Sequence, residues 1–357
     1  MNPSRRHLID TLTMSTRLES MLTRSWMHRG WLAWLLLPLA GLFKLMASLH
    51  RAWFSCGMGS IQSAPVPLIV VGNVVAGGVG KTPVVLALVE HLTQRGLSVG
   101  VVSRGHGRRD DTPQLVESTS RAEDVGDEPL MVARRSAVPV AVARQRMEAV
   151  HLLLKAHPHL QVLVSDDGLQ HHAMHHDVAV CVFDDRGVGN GWPLPAGPLR
   201  EPWPRPVTPG SVQWVLNTGS TPQVEGYSAR RRLALEARNG HGESQALSGW
   251  IGTPIAAMAG IAHPDRFFDM LRQQGLTLSS CVSLEDHASA DVLAQALPSL
   301  HGQRIILCTD KDAVKLWPHH PEVWAVALLT ELPEDMLARL DEVLSAKLSS
   351  THGHQIA

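Results

Sequence analysis

Residues Val70 to Thr82 read V-V-G-N-V-V-A-G-G-V-G-K-T. An apolar run from Leu68 to Val71 leads into the glycines, and a second apolar segment from Val84 to Leu92 follows with helical periodicity. A strand, a glycine-rich loop and a helix in this order form a phosphate-binding cradle, because the loop can turn successive backbone N–H groups toward one anion at the positive end of the helix. We therefore predict a nucleotide-binding site formed by Ala76, Gly77, Gly78, Val79, Gly80, Lys81, Thr82 and Pro83.

Lys81 and Thr82 close this loop at the first positions of the predicted helix. Lys81 adds a full positive charge, and the Thr82 hydroxyl is placed to bind Mg²⁺, as in the P-loop of nucleotide-binding proteins. The usual P-loop spacing requires glycine at position 75, where this chain has Val75, so the loop is a variant. A glycine turn that binds no ligand is the alternative, but such a turn has no need of Lys-Thr at the start of a helix.

The composition fits a globular protein with two domains. The chain has 357 residues, 44% of them hydrophobic, and a formal net charge of −1. Because this balance creates no basic field, nucleic-acid partners are disfavoured. The four cysteines are far apart with no C-x-x-C spacing, which argues against a disulfide framework and a structural zinc site. Nothing in the sequence calls for an obligate protein partner.

Residues 1–60 are predicted to contain a polar extension and a membrane-surface helix. From Trp31 to Phe43 the chain reads W-L-A-W-L-L-L-P-L-A-G-L-F, with further tryptophans and cations on both sides. A helix that spans a bilayer takes about twenty apolar residues, and Pro38 would kink this shorter run. Tryptophans and cations around an apolar helix are typical of helices that lie in the membrane interface. A buried core helix is the alternative.

Short apolar strands alternate with helical segments after the cradle. This alternation predicts an α/β fold with a parallel, doubly wound sheet of the P-loop NTPase type, whose ligands bind at the carboxyl ends of the strands. We assign residues 61–220 to this P-loop core domain. Its further predicted strands are Leu97–Val102, Val138–Val142, Gln161–Val164 and Val178–Phe183.

A polar, arginine-rich stretch from Gln223 to Gln245 marks a domain boundary. Residues 221–348 are predicted to form a second, smaller α/β domain, and residues 349–357 a frayed tail. The predicted elements of the second domain are strands at Pro254–Met258 and Arg304–Cys308 and helices at Asp265–Gln274 and Glu334–Leu348.

The predicted strand Gln161–Val164 is followed by Ser165 and then by Asp166 and Asp167. A carboxylate at a strand end beside a P-loop can hold Mg²⁺ directly or through water. We therefore predict that Asp167 binds the metal with Asp166 beside it. An acidic turn, D-D-G, is the alternative, and it would be the better interpretation in a chain without the P-loop.

Two further segments carry charged side chains in predicted loops. In Gly126–Pro129, the Asp127 carboxylate can accept the proton of an attacking hydroxyl, and a plain turn capped by Asp127 is equally well supported. In the proline-rich run Leu194–Pro202, Arg200 can clamp a phosphate and Glu201 can join the ligands of the metal. A structural loop is the alternative for this second segment.

Histidines occur at two candidate sites. The run Gln170–His176 contains four, at spacings that suit a transition metal, but it lacks an H-E-x-x-H arrangement, so we favour one histidine, His171, facing the phosphate site. His287 follows Asp286, and either Asp286 or Asp127 can orient it as a proton acceptor or relay. A solvated surface histidine is the alternative.

In their order along the chain, these motifs resemble the tetraacyldisaccharide 4'-kinase family, the lipid A 4'-kinases of Gram-negative bacteria. The resemblance covers nearly the whole chain after the N-terminal helix, with departures at His106 and His263, where the family commonly has tyrosine and asparagine. It rests on G-N-V-V-A-G-G-V-G-K-T-P (72–83), S-R-G-H-G (103–107), G-D-E-P (126–129), D-D-G-L-Q-H (166–171), L-P-A-G-P-L-R-E-P (194–202), G-I-A-H-P-x-R-F-F (260–268), D-H (286–287) and T-D-K-D-A-V-K-L (309–316).

The resemblance implies a kinase that uses ATP and Mg²⁺ to phosphorylate the 4'-hydroxyl of a tetraacylated glucosamine disaccharide 1-phosphate. It also implies that Asp127 and His287 form a proton-accepting pair, and that an interfacial N-terminal helix reaches the acylated substrate at the cytoplasmic face of the bacterial inner membrane. The implied site residues are Asp127, His287, Asp166 and Lys81 for catalysis, Thr82, Asp167 and Glu201 for the metal, and Arg200, His171 and Arg104 for the substrate.

A P-loop switch is the rival interpretation, in which ATP or GTP hydrolysis drives assembly or metal delivery without a small acceptor. The G-G-V-G-K-T loop permits it, although partition ATPases with such loops usually carry a lysine where this chain has Ala76. The histidine-rich run would support metal delivery.

Overall fold

Two β-sheets organise the structure, a computed structural model that describes residue 21, residues 23–300 and residues 305–353. The start of the predicted polar extension, Arg304 and residues 354–357 lie outside the described residues. The α-helices are α1 (Trp31–Ser55), α2 (Lys81–Gln94), α3 (Ala122–Val125), α4 (Asp127–Ser136), α5 (Arg146–Ala156), α6 (Pro264–Gln273), α7 (Ala290–Ala296), α8 (Asp310–Leu316) and α9 (Glu334–Gly353), with 3₁₀ turns at Leu247–Trp250 and Leu297–Leu300.

The first sheet has eight strands and includes the strand that leads into the glycine loop. They are β1 (Leu68–Gly72), β2 (Val99–Ser103), β3 (Gln114–Val116), β4 (Val140–Val142), β5 (Val162–Asp166), β6 (Val178–Phe183), β7 (Val212–Asn217) and β8 (Tyr227–Ser228). Their order is β3-β4-β2-β5-β1-β6-β7-β8, and β3 with β4 is the antiparallel pair. The central strands are buried on both faces, which explains why they read as unbroken apolar runs.

Helices cover both faces of this sheet, as a doubly wound fold requires. Alternate residues of β1 belong to two separate core clusters: Ile69 and Val71 pack with α2 and α4, while Leu68 and Val70 pack with α5. The glycine loop therefore begins at the end of a strand, β1, that is packed on both faces.

The second sheet has six strands: β9 (Arg230–Asn239), β10 (Ser244–Ala246), β11 (Pro254–Ala259), β12 (Thr277–Ser283), β13 (Ile306–Thr309) and β14 (Trp324–Glu331). Their order in the sheet is β10-β9-β14-β13-β11-β12. Four strands are parallel, and β9 pairs antiparallel with β14. The arginine-rich stretch predicted as a boundary thus contains the strand β9, whose Leu233 and Ala237 lie in the core.

The last helix, α9, packs against the first sheet. Its Leu340 belongs to the core cluster that contains α2, and its Asp341 pairs with His91 at 2.9 Å and with Arg95 at 3.2 Å. The helix continues to Gly353, beyond the end predicted at Leu348. The chain therefore returns from the second sheet to the first, and the domain limits drawn from the sequence stay a prediction.

Helix α1 exposes a broad apolar face. Ala33 and Ala40 are buried on one narrow stripe, whereas Trp31 is 74% exposed. The helix has 25 residues, more than the predicted apolar run, and by length and composition it is able to cross a membrane. A core helix would bury its large side chains, so the alternative of a buried core helix is wrong. The large apolar side chains that this helix exposes are Trp31, Trp34, Leu35, Leu39, Leu42, Leu45, Met46, Leu49 and Trp53.

Candidate active site

The glycine-rich loop connects β1 to α2, as the sequence predicts. Gly72 ends β1 and Lys81 begins α2. Gly77 and Gly80 have φ values of 95° and 78°, which side chains with a β-carbon rarely adopt, so glycine at these positions allows the loop to turn into the helix. The N-terminus of α2 adds a partial positive charge to that of Lys81.

Lys81 and Thr82 lie beside the carboxylates that end β5. This strand is a neighbour of β1, with Asp166 level with Val71. The Thr82 hydroxyl lies 3.5 Å from Asp166 Oδ2, and Lys81 Nζ lies 3.5 Å from Asp167 Oδ1. The structure thus brings the predicted nucleotide loop and the predicted metal carboxylates together.

Asp166 is a buried carboxylate with an unused oxygen. Its Oδ1 has no hydrogen-bond partner among the described residues, and burial raises its pKa to about 7, with repulsion from Glu128 as a further cause. Burial also acts on Asp167, but the charges of Lys81 and Arg200 overcome it and lower the pKa of Asp167. Because a buried carboxylate without a cation is unfavourable, the pair fits a divalent cation beside the Thr82 hydroxyl.

Asp127 and His287 form a hydrogen-bonded pair across 160 residues of sequence, with His287 Nδ1 3.1 Å from Asp127 Oδ2. Asp127 is not in a loop, as the sequence predicted, but is the first residue of α4, where the helix dipole favours a carboxylate. It is 7% exposed. The His287 side chain is 38% exposed and lies in the loop after β12.

Two lysines from α8 contact this pair. Lys315 Nζ lies 3.1 Å from Asp127 Oδ2. Lys311 Nζ lies 3.1 Å from His287 Nε2 and 2.9 Å from Asp286 Oδ1. Of the two carboxylates that the sequence left open as partners for His287, the hydrogen bond is made by Asp127, while Asp286 lies 3.9 Å from the other ring nitrogen.

The electrostatics of the pair favour an ionised aspartate and a basic histidine. Burial opposes the ionisation of Asp127, but the hydrogen bond from His287 and the charges of Lys311 and Lys315 hold its pKa well below the usual range. The same hydrogen bond raises the pKa of His287 above its ordinary value, although burial and Lys311 act against this. A half-exposed histidine of raised basicity is suited to accept a proton, and its buried partner to orient the ring.

A cleft of about 520 Å³ lies between the glycine loop and residues of the second sheet and its flanking segments, a size typical of sites for small molecules. Glu128 and Asp286, the sequence neighbours of the proton-accepting pair, line it together with the loop. A β-carbon added at Gly78 would lie 3.8 Å from Asp286 Oδ2. The phosphate cradle and the segment that carries His287 therefore face the same cleft.

Glu201 contacts three other side chains instead of the residues predicted to share the metal with it. Its carboxylate pairs with Arg51 at 2.9 Å and with Arg205 at 3.5 Å, and it accepts a hydrogen bond from Gln170 at 2.9 Å. Arg51 belongs to α1, so these contacts connect the apolar helix to the edge of the site. The metal role of Glu201 stays a prediction that has no supporting contact among the described residues.

The basic residues predicted to bind substrate lie around the strand-end aspartates. Arg200 Nη1 lies 3.5 Å from Asp167 Oδ2. Arg146 donates to the backbone carbonyl of Asp167 at 3.0 Å. Burial lowers the pKa of His171, and the charges of Arg146 and Arg104 lower it further. The structure therefore places Arg200 beside Asp167, and the contacts of Arg200, His171 and Arg104 with a substrate stay a prediction.

The histidine-rich run shows no metal-binding geometry. Among the residues described, no group of three or more His, Cys, Asp or Glu side chains is arranged to hold a metal ion. Burial lowers the pKa values of His172 and His176 to about 4, with the charges of nearby arginines as the next cause. The structure thus gives no support to a transition-metal site in this run.

Sequence reasoning missed four basic residues at the site: Lys311, Lys315, Arg186 and Arg231. The two lysines hold the Asp127–His287 pair, and the two arginines donate to backbone carbonyls of the glycine loop. Both lysines lie within the T-D-K-D-A-V-K-L motif, which is the one signal that could have identified them. Arg231 belongs to the stretch whose polar composition predicts a domain boundary.

The family model and the relatives of similar sequence both identify the family that the motifs resemble. The family model described as Tetraacyldisaccharide-1-P 4'-kinase matches residues 32–345. The tetraacyldisaccharide 4'-kinase of Polaromonas naphthalenivorans is 48% identical over 345 residues, which cover 95% of this chain and 99% of that protein. That of Delftia acidovorans is 48% identical over 328 residues, or 91% of this chain and 95% of that one.

A solved structure has the same fold. The crystal structure of "apo" form LpxK from Aquifex aeolicus in complex with ATP matches with a TM-score of 0.71 and 24% sequence identity, over 89% of this chain and 99% of that chain. The fold class predicted from the sequence is confirmed.

Proposed function

We propose that this chain, which belongs to the tetraacyldisaccharide-1-P 4'-kinase family, transfers the γ-phosphoryl group of ATP to the 4'-hydroxyl of a tetraacylated glucosamine disaccharide 1-phosphate. The family and the lipid A kinase activity predicted from the sequence are confirmed by the family match and by relatives at 48% identity. The observation that carries the chemistry is the single cleft shared by the glycine loop and the neighbours of the Asp127–His287 pair.

ATP binds with its phosphates in the glycine loop. Backbone N–H groups and the N-terminus of α2 supply partial positive charges, and Lys81 supplies a full one. These charges lie in fixed positions before the reaction begins. They therefore stabilise the negative charge that builds up on the phosphates during transfer.

Mg²⁺ fits beside Thr82. The Thr82 hydroxyl, the Asp167 carboxylate and the unpartnered Oδ1 of Asp166 are oxygen ligands of the kind that Mg²⁺ prefers. When bound, the ion supplies further neutralisation of the phosphates. A nearby divalent charge would also favour the ionised form of Asp166, which burial alone disfavours.

His287 takes the proton of the attacking hydroxyl, and Asp127 orients it. Nδ1–H donates to Asp127, and Nε2 carries the electron pair, which accepts a hydrogen bond from the Lys311 ammonium at 3.1 Å. Because Lys311 Nζ also lies 2.9 Å from Asp286 Oδ1, it can release Nε2 to the substrate hydroxyl and remain paired. Asp127 is the poorer direct acceptor because it is buried and its carboxylate already contacts His287 and the ammonium of Lys315. The hydroxyl proton moves to His287 Nε2 while the sugar oxygen attacks the γ-phosphorus and ADP leaves.

Helix α1 brings the enzyme to a membrane surface, where its acylated substrate resides. Its exposed tryptophans and leucines form the apolar face of an interfacial helix, and Arg51 connects the opposite side to Glu201. We place the protein at the cytoplasmic face of the bacterial inner membrane as a peripheral or monotopic enzyme.

Transfer of the labelled phosphate tests this function directly. With γ-labelled ATP and a tetraacyl disaccharide 1-phosphate in detergent micelles, the label is expected to move to a chloroform-soluble glycolipid. A P-loop switch would release the label as free phosphate instead. The family match does not favour this rival class.

A matched acceptor controls the label assay. The same disaccharide already phosphorylated at its 4'-hydroxyl offers equal acyl chains but no free acceptor, so it should take up no label. Label that appears as free phosphate at the same rate with both lipids would overturn the kinase assignment.

The activity is expected to rise with pH through the pKa of His287. The ring accepts a proton only when neutral, and because the hydrogen bond that His287 donates to Asp127 raises the pKa of His287, the rising limb of kcat/KM should lie above about 6.5, the ordinary value for histidine. Asp127→Asn removes the largest cause of this shift. The limb in the residual activity of that variant should therefore move to lower pH, and an unmoved limb would exclude His287 as the titrating group.

A further inference from the structure

Side chains donate hydrogen bonds to the backbone carbonyls of the glycine loop. Each of the five carbonyls from Val75 to Val79 accepts a hydrogen bond from a side chain. The donors are Asn73 to Val75 and Gly77, Arg186 to Ala76 and Gly78, and Arg231 and Thr218 to Val79.

Hydrogen bonds that fix the backbone carbonyls also set the direction of the neighbouring backbone N–H groups. The N–H and C=O of one trans peptide unit point in opposite directions, so a donor that holds each carbonyl on one side turns the N–H of the following residue toward the other. A glycine-rich segment left free would have to be ordered when an anion binds, at a cost in affinity. The Ala76 N–H, which follows the held Val75 carbonyl, donates to the Pro198 carbonyl at 2.8 Å. The held carbonyls from Ala76 to Val79 therefore prepare the N–H groups of residues 77–80 for phosphate.

We propose that Arg186 and Arg231 are positioning residues that brace the glycine loop, so that its N–H groups are preorganised for the nucleotide phosphates. The proposal rests on the nucleotide role given to the loop above. It adds that affinity for ATP depends on side chains that point at the loop's carbonyls and that one of them comes from the second domain.

Arg186 acts as a donor whose charge is already compensated. Its Nε lies 3.0 Å from both carboxylate oxygens of Asp184, which is 3% exposed, while Nη1 and Nη2 reach the carbonyls of Ala76 at 3.4 Å and Gly78 at 3.2 Å. A β-carbon at Gly77 would lie 3.1 Å from Nη1. A side chain at this position would therefore strain the backbone turn and also push the guanidinium away by a few tenths of an ångström.

Arg231 extends the brace from the second sheet. It lies in β9, yet its Nη2 donates to the carbonyl of Val79 and to the Thr218 hydroxyl, which in turn donates to the same carbonyl at 3.1 Å. A β-carbon at Gly80 would collide with the Arg231 guanidinium. The second domain thus contributes a contact to the loop in the first, and the nucleotide site is incomplete without it.

Binding of a non-hydrolysable ATP analogue tests the brace without turnover. In Arg186→Leu and in Arg231→Leu the Kd should rise roughly tenfold, the effect expected when about one net hydrogen bond is lost, with the KM for the lipid unchanged. Arg186→Gln keeps an amide donor without the charge and should bind nearly as well as the wild type. Hydrogen exchange of the nucleotide-free loop, residues 73–80, should be faster in both leucine variants.

Arg266→Leu is the matched control. Arg266 is a cation in the same cleft, but it pairs with Asp185 at 2.9 Å, and its described contacts include no loop carbonyl. An unchanged Kd in both leucine variants, or unchanged exchange of the loop, would overturn the brace. So would a loss in Arg186→Gln equal to that in Arg186→Leu, which would mean that charge alone matters.

The stability of the variants and the nucleotide binding on which the proposed kinase function depends need separate measurements. The unfolding midpoint of each variant is measured alongside, and Arg231→Gln replaces Arg231→Leu if the latter unfolds below the assay temperature. A wild-type protein that fails to bind the analogue would contradict the proposed function itself. Wild-type binding with unaffected variants would contradict the brace alone.

Discussion

Asp127→Asn is expected to lower kcat by a factor of about 10² to 10⁴, the range that a positioned proton acceptor contributes. The substitution keeps the shape of the side chain but removes the charge that orients His287 and raises its pKa. The described contacts of the Asp127 side chain are to His287, Lys315 and the backbone of Glu128, and none is to the glycine loop. The Kd for an ATP analogue should therefore stay near that of the wild type.

His287→Ala separates catalysis from stability. Asp127→Asn leaves Lys315 buried without its carboxylate, which is itself destabilising, whereas the half-exposed His287 can be truncated at less cost. Both variants should lose turnover to a similar degree, while Asp124→Asn, which changes an exposed carboxylate on the preceding short helix, should be fully active. Activity retained in His287→Ala but lost in Asp127→Asn would make Asp127 the direct acceptor. Activity retained in both would exclude the pair.

Most of the first sheet could be predicted because its strands carry a local signal. Buried parallel strands need apolar side chains on both faces, so Val178–Phe183 was predicted with the bounds that the structure shows. Strand order carries no such signal. That β5 lies between β2 and β1 follows from packing between segments far apart in the chain, and no local pattern encodes it.

Strands of the second sheet were harder to predict because several are only half-buried. β12 reads T-L-S-S-C-V-S and alternates between exposed and intermediate residues, so it offers no contrast between polar and apolar positions. β9 begins with three arginines, and the polar residues of its exposed face resemble the composition of a linker. The sequence therefore predicted a boundary where the structure has a strand that pairs with β14.

The residues of the candidate site likewise include some that a local sequence signal predicts and others that it does not. Lys81, Thr82, Asp166 and Asp167 follow strands of one sheet, so their proximity could be predicted from the strand ends alone. Arg231 lies 152 residues from the carbonyl of Val79 that it binds, and its neighbours in sequence carry no mark of that contact. Such contacts arise from how the two sheets meet, which a single sequence does not reveal.

Lys81→Met is expected to lower kcat/KM for ATP by a factor of about 10² to 10³, comparable with the loss of a preorganised donor at a developing negative charge. Methionine keeps the length and the apolar stem of lysine but removes the ammonium, which lies 3.4 Å from Asn73 Oδ1 and 3.5 Å from Asp167 Oδ1. The loss should be measured in steady-state kinetics at saturating lipid. Because the Thr82 hydroxyl and both aspartates remain, extra Mg²⁺ should not restore the rate.

Two substitutions determine whether the position or merely the charge of Lys81 matters. Lys81→Arg keeps the charge, but its planar fork does not reproduce the compact ammonium beside the loop, so it should recover little of the lost activity. Lys155→Met removes an exposed lysine from the last turn of α5 and should leave kcat/KM unchanged. Full activity in Lys81→Met would mean that the glycine loop does not stabilise the transferred phosphate. A full recovery in Lys81→Arg would mean that the loop requires only a positive charge nearby.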